Sequence, residues 1–234
     1  MKKLLLLLPL LVIGLALSSY AQIIPTSLEI GTALKQALEQ GTIKSADQLS
    51  SVDGFFKNAA VKILLPPEAQ KAEKTLRAMG MGKICDDAIL GLNRAAEDAV
   101  VQAKPIFVSA IKKMTLQDVT NILLGQQDAA TQYFKVSTTT NLTEKFQPII
   151  QASLNKVNAT RYYTILANTY NTVPFVRKIN PDIANYATLK AIDGLFIEIA
   201  VQELSIRKNI GMSRSTPLLK KVFDFADKAL SKKG

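Results

Sequence analysis

Apolar residues recur at intervals of three and four along nearly the whole of this 234-residue chain, and strict apolar–polar alternation over strand length is hard to find. A helix turns that spacing into one apolar stripe, whereas a half-buried strand needs a period of two, so the pattern specifies an all-α, bundle-like fold. Punctuation places the elements. Ser27 is positioned to cap a first helix ending at Gly41, with Leu34 and Leu38 inward, and a short helical turn starts at Ser45. Next comes "DGFFKNAAVKILLPPE", whose Phe55, Phe56, Val61, Ile63, Leu64 and Leu65 are too apolar for water but are broken by Gly54 and Pro66-Pro67. This segment is expected to pack as an irregular strap across the bundle.

Pro67 opens the next helix and Gly80 stops it. From Lys83, the stripe Ile84, Ala88, Leu92, Ala96, Ala99 and Ala103 is rich in small residues that let another helix approach closely, and Pro105 must break or kink it. Thr115 caps a short helix that Gly125 ends. Asp128 starts another through "AATQYFKV", and "NLTEKFQPIIQASLNKV" reads as a separate one. A helix through Tyr162, Ile165, Leu166 and Tyr170 stops before Pro174, and Asn180-Pro181 introduces a long one. Thr216-Pro217 begins the terminal helix, which buries Leu219, Val222, Phe223, Ala226 and Leu230.

The amino terminus has a different grammar. Lys2 and Lys3 precede an apolar run from Leu4 to Leu17, then Ser19-Tyr20-Ala21, which is the pattern of a secretory signal peptide over residues 1–21. The run is shorter than the ~20 residues a spanning helix needs. Cleavage leaves Gln22–Gly234, read as one helical domain that is exported to the periplasm or beyond and is soluble there. Without Lys2 and Lys3 the chain has 27 basic and 19 acidic residues, a net +8, and residues 207–234 carry +6 of it. Those charges belong to Arg207, Lys208, Arg214, Lys220, Lys221, Lys228, Lys232 and Lys233, against Asp224 and Asp227. After export such asymmetry points to a lipid headgroup, a glycan or an acidic protein surface, with peripheral membrane contact, rather than to nucleic acid. Lys220, Asp224 and Lys228, four apart, are spaced to pair along the terminal helix.

Much chemistry is excluded. The chain has no histidine, which removes Ser-His-Asp and Cys-His catalysis and every His-containing metal site. Cys85 is the one cysteine, and Asp86 and Asp87 beside it oppose a thiolate. The adjacent pairs Asp86-Asp87 and Glu97-Asp98 diverge by about 100° on a helix and do not converge on a substrate. "GMGKIC" lacks the third glycine of a phosphate loop and follows a helix. Ser-x-x-Lys occurs at Ser109/Lys112, Ser153/Lys156 and Ser205/Lys208, with no Lys-Thr-Gly after any of them. No catalytic residue, metal or cofactor is therefore expected.

Two groups of candidates remain. Asn93, Arg94 and Glu97 interrupt the alanine stripe, with Arg94 and Glu97 spaced to meet on one face; they read as a partly buried polar network that fixes how the helix docks. Phe55, Phe56, Tyr133, Phe134, Tyr162 and Tyr163 are either core or the lining of an apolar pocket. The first functional expectation is a non-catalytic protein that binds an anionic envelope component through its basic carboxyl-terminal region. The alternative is a helical carrier of a lipid or other apolar small molecule, and a hydrolase ranks third.

Several motifs in order, namely Asp53-Gly54-Phe55, Asn93-Arg94-Ala95-Ala96-Glu97, Ala129-Ala130-Thr131 with Tyr133-Phe134, Asp193-Gly194-Leu195-Phe196, Ile206-Arg207 and Leu219-Lys220-Lys221-Val222-Phe223, carry a resemblance. The chain is similar, from about Leu28 to Phe223, to a family of exported bacterial proteins catalogued only as a domain of unknown function (DUF4197). The resemblance implies a helical envelope protein and offers no activity, cofactor or catalytic residue. The family pattern tends to end near Phe223, so Asp224–Gly234 extends past it.

Overall fold

The computed structural model describes residues 24–172, 174–175 and 178–232. Residues 1–21, expected from sequence to be a signal peptide, and Lys233 lie outside the described residues. In chain order the helices are α1 (Ser27–Ser50), α2 (Pro67–Ala78), α3 (Gly82–Val100), α4 (Ala103–Lys113), α5 (Leu116–Leu123), α6 (Ala129–Lys156), α7 (Ala159–Asn171), α8 (Ile183–Arg207) and α9 (Pro217–Ser231), with a single 3-10 turn at Ile210–Met212. No strand occurs among the described residues, and no helix there is long and apolar enough to cross a membrane.

The largest interfaces are α6 on α8 and α3 on α6, with α1 laid against α8. Helix α3 also touches α1, α2, α4, α7 and α8, and its Ala88, Ala95, Ala96 and Ala99 are all buried. Small side chains at those positions let neighbouring backbones come close, as the stripe predicts. Phe107 of α4 meets Phe134 of α6 edge-on at 5.2 Å and Phe196 of α8 at 6.4 Å, tying three helices through aromatic contacts.

Several boundaries follow from named chemistry. Pro67 and Pro217 occupy first-turn positions of α2 and α9, where a missing amide hydrogen costs nothing. Pro105 falls in the first turn of α4, and the chain breaks at residues 101–102 just before it. Thr115 and Asp118 form a capping box for α5: the Thr115 amide donates to Asp118 at 2.8 Å and the Asp118 amide donates back to the Thr115 hydroxyl at 3.1 Å.

Three boundaries differ from the sequence expectation. Thr26, not Ser27, caps α1, through a box with Glu29, and α1 does not end at Gly41 but runs on to Ser50. Gly41 is buried against Gln202 and Ile206 of α8, so close packing outweighs the ~1 kcal/mol propensity cost of a mid-helix glycine. Likewise the segments from Asp128 and from Asn141 form one helix, α6. The hydroxyls of Ser137, Thr138, Thr139 and Thr143 each bond to the carbonyl four residues back, which lets a polar tract stay helical rather than turn.

Between α1 and α2 the chain forms the expected strap. Phe55, Val61, Ile63 and Leu65 are buried, while Leu64 remains half-exposed. Its seat on α8 is made by Gly194, where a Cβ would lie 2.7 Å from the Phe55 ring and 3.2 Å from Val61.

Candidate functional site

The polar residues of α3 meet the strap. Asn93 is fully buried; its Oδ1 accepts from the Ile63 amide at 2.8 Å, and its Nδ2 donates to the carbonyls of Ile63 at 2.8 Å and Ile89 at 2.7 Å. One turn on, Glu97 Oε1 accepts from the amides of Phe55 at 3.0 Å and Phe56 at 3.2 Å. Its other oxygen accepts from Arg94 Nη1 at 2.6 Å, and Arg94 Nη2 reaches Asp53 at 2.6 Å. Asp53 sits at φ 70°, in the left-handed region that Asp tolerates. Gly54 follows because a Cβ there would collide with the carbonyls of Gln48 and Leu49.

Strap residues without a helix or a strand partner thus have their amides met by one carboxylate and one carboxamide. Lys57 and then Arg94 hold the Asp53 carboxyl below its ordinary range, while Asp53 and then Glu97 raise Arg94. Glu97 is only 4% exposed and both of its oxygens are occupied, so the group clasps backbone and presents no free acid or base to a substrate.

A second clasp lies at the far end of α8, around a residue the sequence reading did not single out. Glu203, also buried, accepts from the amides of Ala130 at 3.0 Å and Thr131 at 2.9 Å and from the Thr131 hydroxyl at 2.8 Å. Arg207 pairs with it at 2.8 Å and donates to the carbonyls of Ile122 at 2.7 Å and Leu123 at 3.2 Å. Glu203 therefore serves the first turn of α6 and Arg207 the last turn of α5. The four-residue Glu203–Arg207 spacing was the available signal.

Arg214 is also internal. Its side chain is 4% exposed and donates to the carbonyls of Ile206 and Arg207 at the end of α8. It also pairs with Asp224 at 2.7 Å and Asp227 at 2.8 Å, and its guanidinium stands 5.2 Å from the centre of the Phe223 ring. The expected Lys220–Asp224–Lys228 pairing is thus replaced by pairing to Arg214. Lys221 reaches Glu29 on α1 at 2.7 Å. Of the eight basic candidates, Arg207 and Arg214 are internal fasteners and Lys221 is half-buried in an ion pair. Lys208, Lys220, Lys228 and Lys232 face solvent, and none of these four is salt-bridged among the described residues.

The six aromatics do not line one cavity. Phe55, Phe134 and Tyr163 are core, and burial pushes the Tyr163 phenol up to about 12. Phe56 packs beneath Lys62 at 4.2 Å, and Tyr133 lies edge-on to Phe134 at 5.7 Å. Tyr162 alone borders an apolar groove, of about 270 Å³, between α2 and α7, with Leu76, Met79, Ile84, Ile165 and Leu166. Of its lining only Tyr162 is among the sequence candidates, because the groove is formed by residues of α2, α3 and α7 that lie far apart along the chain. Cys85 is buried, and its thiol is pushed up by desolvation.

Compared with known proteins, a family described as "Protein of unknown function (DUF4197)" matches residues 25–224. No curated protein and no solved structure matches.

Proposed function

The chain belongs to the DUF4197 family of proteins of unknown function, and we propose that it is an exported, non-catalytic protein of the cell envelope that docks to an anionic component through its carboxyl-terminal lysines. The observation that carries this reading is the separation of charge at α9. The buried Arg214 takes both Asp224 and Asp227, and Lys208, Lys220, Lys228 and Lys232 stand exposed with no carboxylate partner among the described residues. Unpaired surface ammonium groups contribute long-range attraction of ~1 kcal/mol each near an anionic lipid surface.

The test is sedimentation of purified Gln22–Gly234 with anionic phospholipid vesicles, beside a variant carrying Lys208→Gln, Lys220→Gln, Lys228→Gln and Lys232→Gln. Binding is expected to fall at least tenfold in the variant. It should also weaken between low salt and about 0.15 M, where screening acts over ~8 Å. Binding that ignores both changes would overturn the reading.

A second reading, that of a carrier for an apolar small molecule, is favoured by the α2–α7 groove alone. Met79 and Ile165 stand 68% and 47% exposed at its edge, and apolar walls with few polar groups are usual for ligand pockets. An organic extract of the purified protein that contains a stoichiometric lipid would favour it over docking.

A further inference from the structure

Against α8, at the strap end of the molecule, three lysines from three different elements border one cleft. Lys62 comes from the strap, Lys135 from α6 and Lys190 from α8, around a space of about 460 Å³. One carboxylate, Asp193, lies in the same cleft and pairs with Lys190 at 3.2 Å. Neither Lys62 nor Lys135 is salt-bridged among the described residues, so two positive charges are left uncompensated.

Both of those ammonium groups are held over aromatic faces. Lys62 Nζ stands 4.2 Å from the centre of the Phe56 ring and Lys135 Nζ 5.9 Å from that of Phe196. A ring beneath the cation favours one position for an otherwise flexible side chain, and the Phe56 backbone is held in turn by the hydrogen bond that its N–H donates to Glu97. The strap wall is tied down as well, since the Tyr186 hydroxyl donates to the Leu64 carbonyl at 3.1 Å. Beside the charges the cleft is apolar: Leu64 and Ile197 are 48% and 45% exposed within it.

We infer that this cleft binds a phosphate monoester carrying an apolar group, with the phosphate among Lys62, Lys135 and Lys190 and the apolar part against Leu64 and Ile197. Two uncompensated charges match the −1.5 to −2 of a phosphate monoester near neutral pH. Lysines are common phosphate ligands and act as rotatable point charges, so three of them from different elements can meet a tetrahedral oxyanion from several sides. Lys190 and Lys208 are eighteen residues apart along or just beyond α8, about 27 Å at 1.5 Å per residue. The cleft is therefore separate from the carboxyl-terminal lysines and stands or falls independently of the docking role assigned to them.

The experiment is calorimetric titration of Gln22–Gly234 with phenyl phosphate. Wild type is compared with a cleft variant (Lys62→Gln, Lys135→Gln, Lys190→Gln) and a charge-matched control (Lys208→Gln, Lys220→Gln, Lys228→Gln). All substituted residues are exposed, and circular dichroism verifies that both variants stay helical. The expected result is saturable binding of one molecule per chain, at least tenfold weaker in the cleft variant and unchanged in the control. Equal weakening in both variants would show diffuse charge attraction and overturn the site, as would the absence of saturable binding. Sedimentation with phosphatidic acid vesicles then separates the sources of the ligand. Run with Lys208→Gln, Lys220→Gln, Lys228→Gln and Lys232→Gln in both proteins, so that the carboxyl-terminal lysines no longer hold the vesicle, pelleting that requires the intact cleft identifies a lipid headgroup, and pelleting that is absent or equal with and without the cleft substitutions identifies a soluble ester.

Discussion

The two clasps, one around Glu97 and one around Glu203, use the same parts for different tasks. In each a buried glutamate accepts two backbone amides and pairs with an arginine on its own helix, at i−3 for Arg94 and at i+4 for Arg207. Glu203 meets the first turn of α6, where the helix dipole already favours an anion, and Arg207 meets the last carbonyls of α5, where it favours a cation. Glu97 has no dipole to exploit: the amides of Phe55 and Phe56 belong to a strap with no regular structure. A buried ion pair costs more to desolvate than it returns unless its remaining hydrogen bonds are satisfied. Here satisfying orphaned backbone is what each pair accomplishes.

The sharpest way to break that comparison is to remove each carboxylate. Glu203→Ala strands Arg207, whose side chain is only 11% exposed, and unmates two amides, so a loss of ~3–5 kcal/mol in urea denaturation is expected. Glu97→Ala should cost less, ~2–3 kcal/mol, because Arg94 is 31% exposed and keeps Asp53. The reverse order would show that exposure of the stranded cation does not set the cost. The structural consequence should differ too: in Glu97→Ala, amide exchange accelerates at Phe55 and Phe56 while α6 stays protected.

Sequence made one clasp legible and hid the other for a physical reason. Asn93, Arg94 and Glu97 stand out because they interrupt a stripe of alanines, and a polar residue on an otherwise buried face demands a partner. The partner itself, amides some forty residues earlier, is a property of the tertiary fold. Glu203 and Arg207 sit on α8, which is buried on most sides, so no contrasting face marks them. Arg207 also adjoins Lys208 in a run of basic residues and so reads as surface charge. The helical class, the strap and the starts of α2, α5 and α9 were legible because proline, threonine caps and apolar spacing act locally. Gly41 and the separation expected between the Asp128 and Asn141 segments misled, because packing against α8 keeps α1 helical through the glycine and back-bonded hydroxyls are satisfied within α6. The Lys62–Lys135–Lys190 cleft was invisible, since nothing along the chain relates three lysines on three elements.

A smaller effect sharpens the strap side. Gly194→Ala places a methyl 2.7 Å from the Phe55 ring, which must be relieved by a shift of that ring or of the strap that carries it, so ~1–3 kcal/mol is expected. If the strap is held chiefly by Glu97, the amides of Phe55 and Phe56 stay protected from exchange despite that loss. Protection that collapses would place the apolar seat, not the carboxylate, in control.

The smallest effect belongs to Asp53, at the solvent edge of the same clasp. Its carboxyl is held below the ordinary range by Lys57 and Arg94, so folding favours the ionised form. The resulting stability is fully present above the unfolded value of about 3.9 and is lost as pH falls through the lower folded value. Asp53→Asn should therefore change stability little at pH 7, the smallest effect of the four, because the pair stands at the solvent edge where water screens it. It should also flatten the dependence of the urea midpoint on pH below about 4. Among the described residues the Glu203 clasp has no equivalent outer carboxylate on its arginine, and Arg207 turns instead to the carbonyls of α5. A pH slope that survives Asp53→Asn unchanged would mean that Arg94 is fully served by Glu97, which would make the two clasps electrostatically alike.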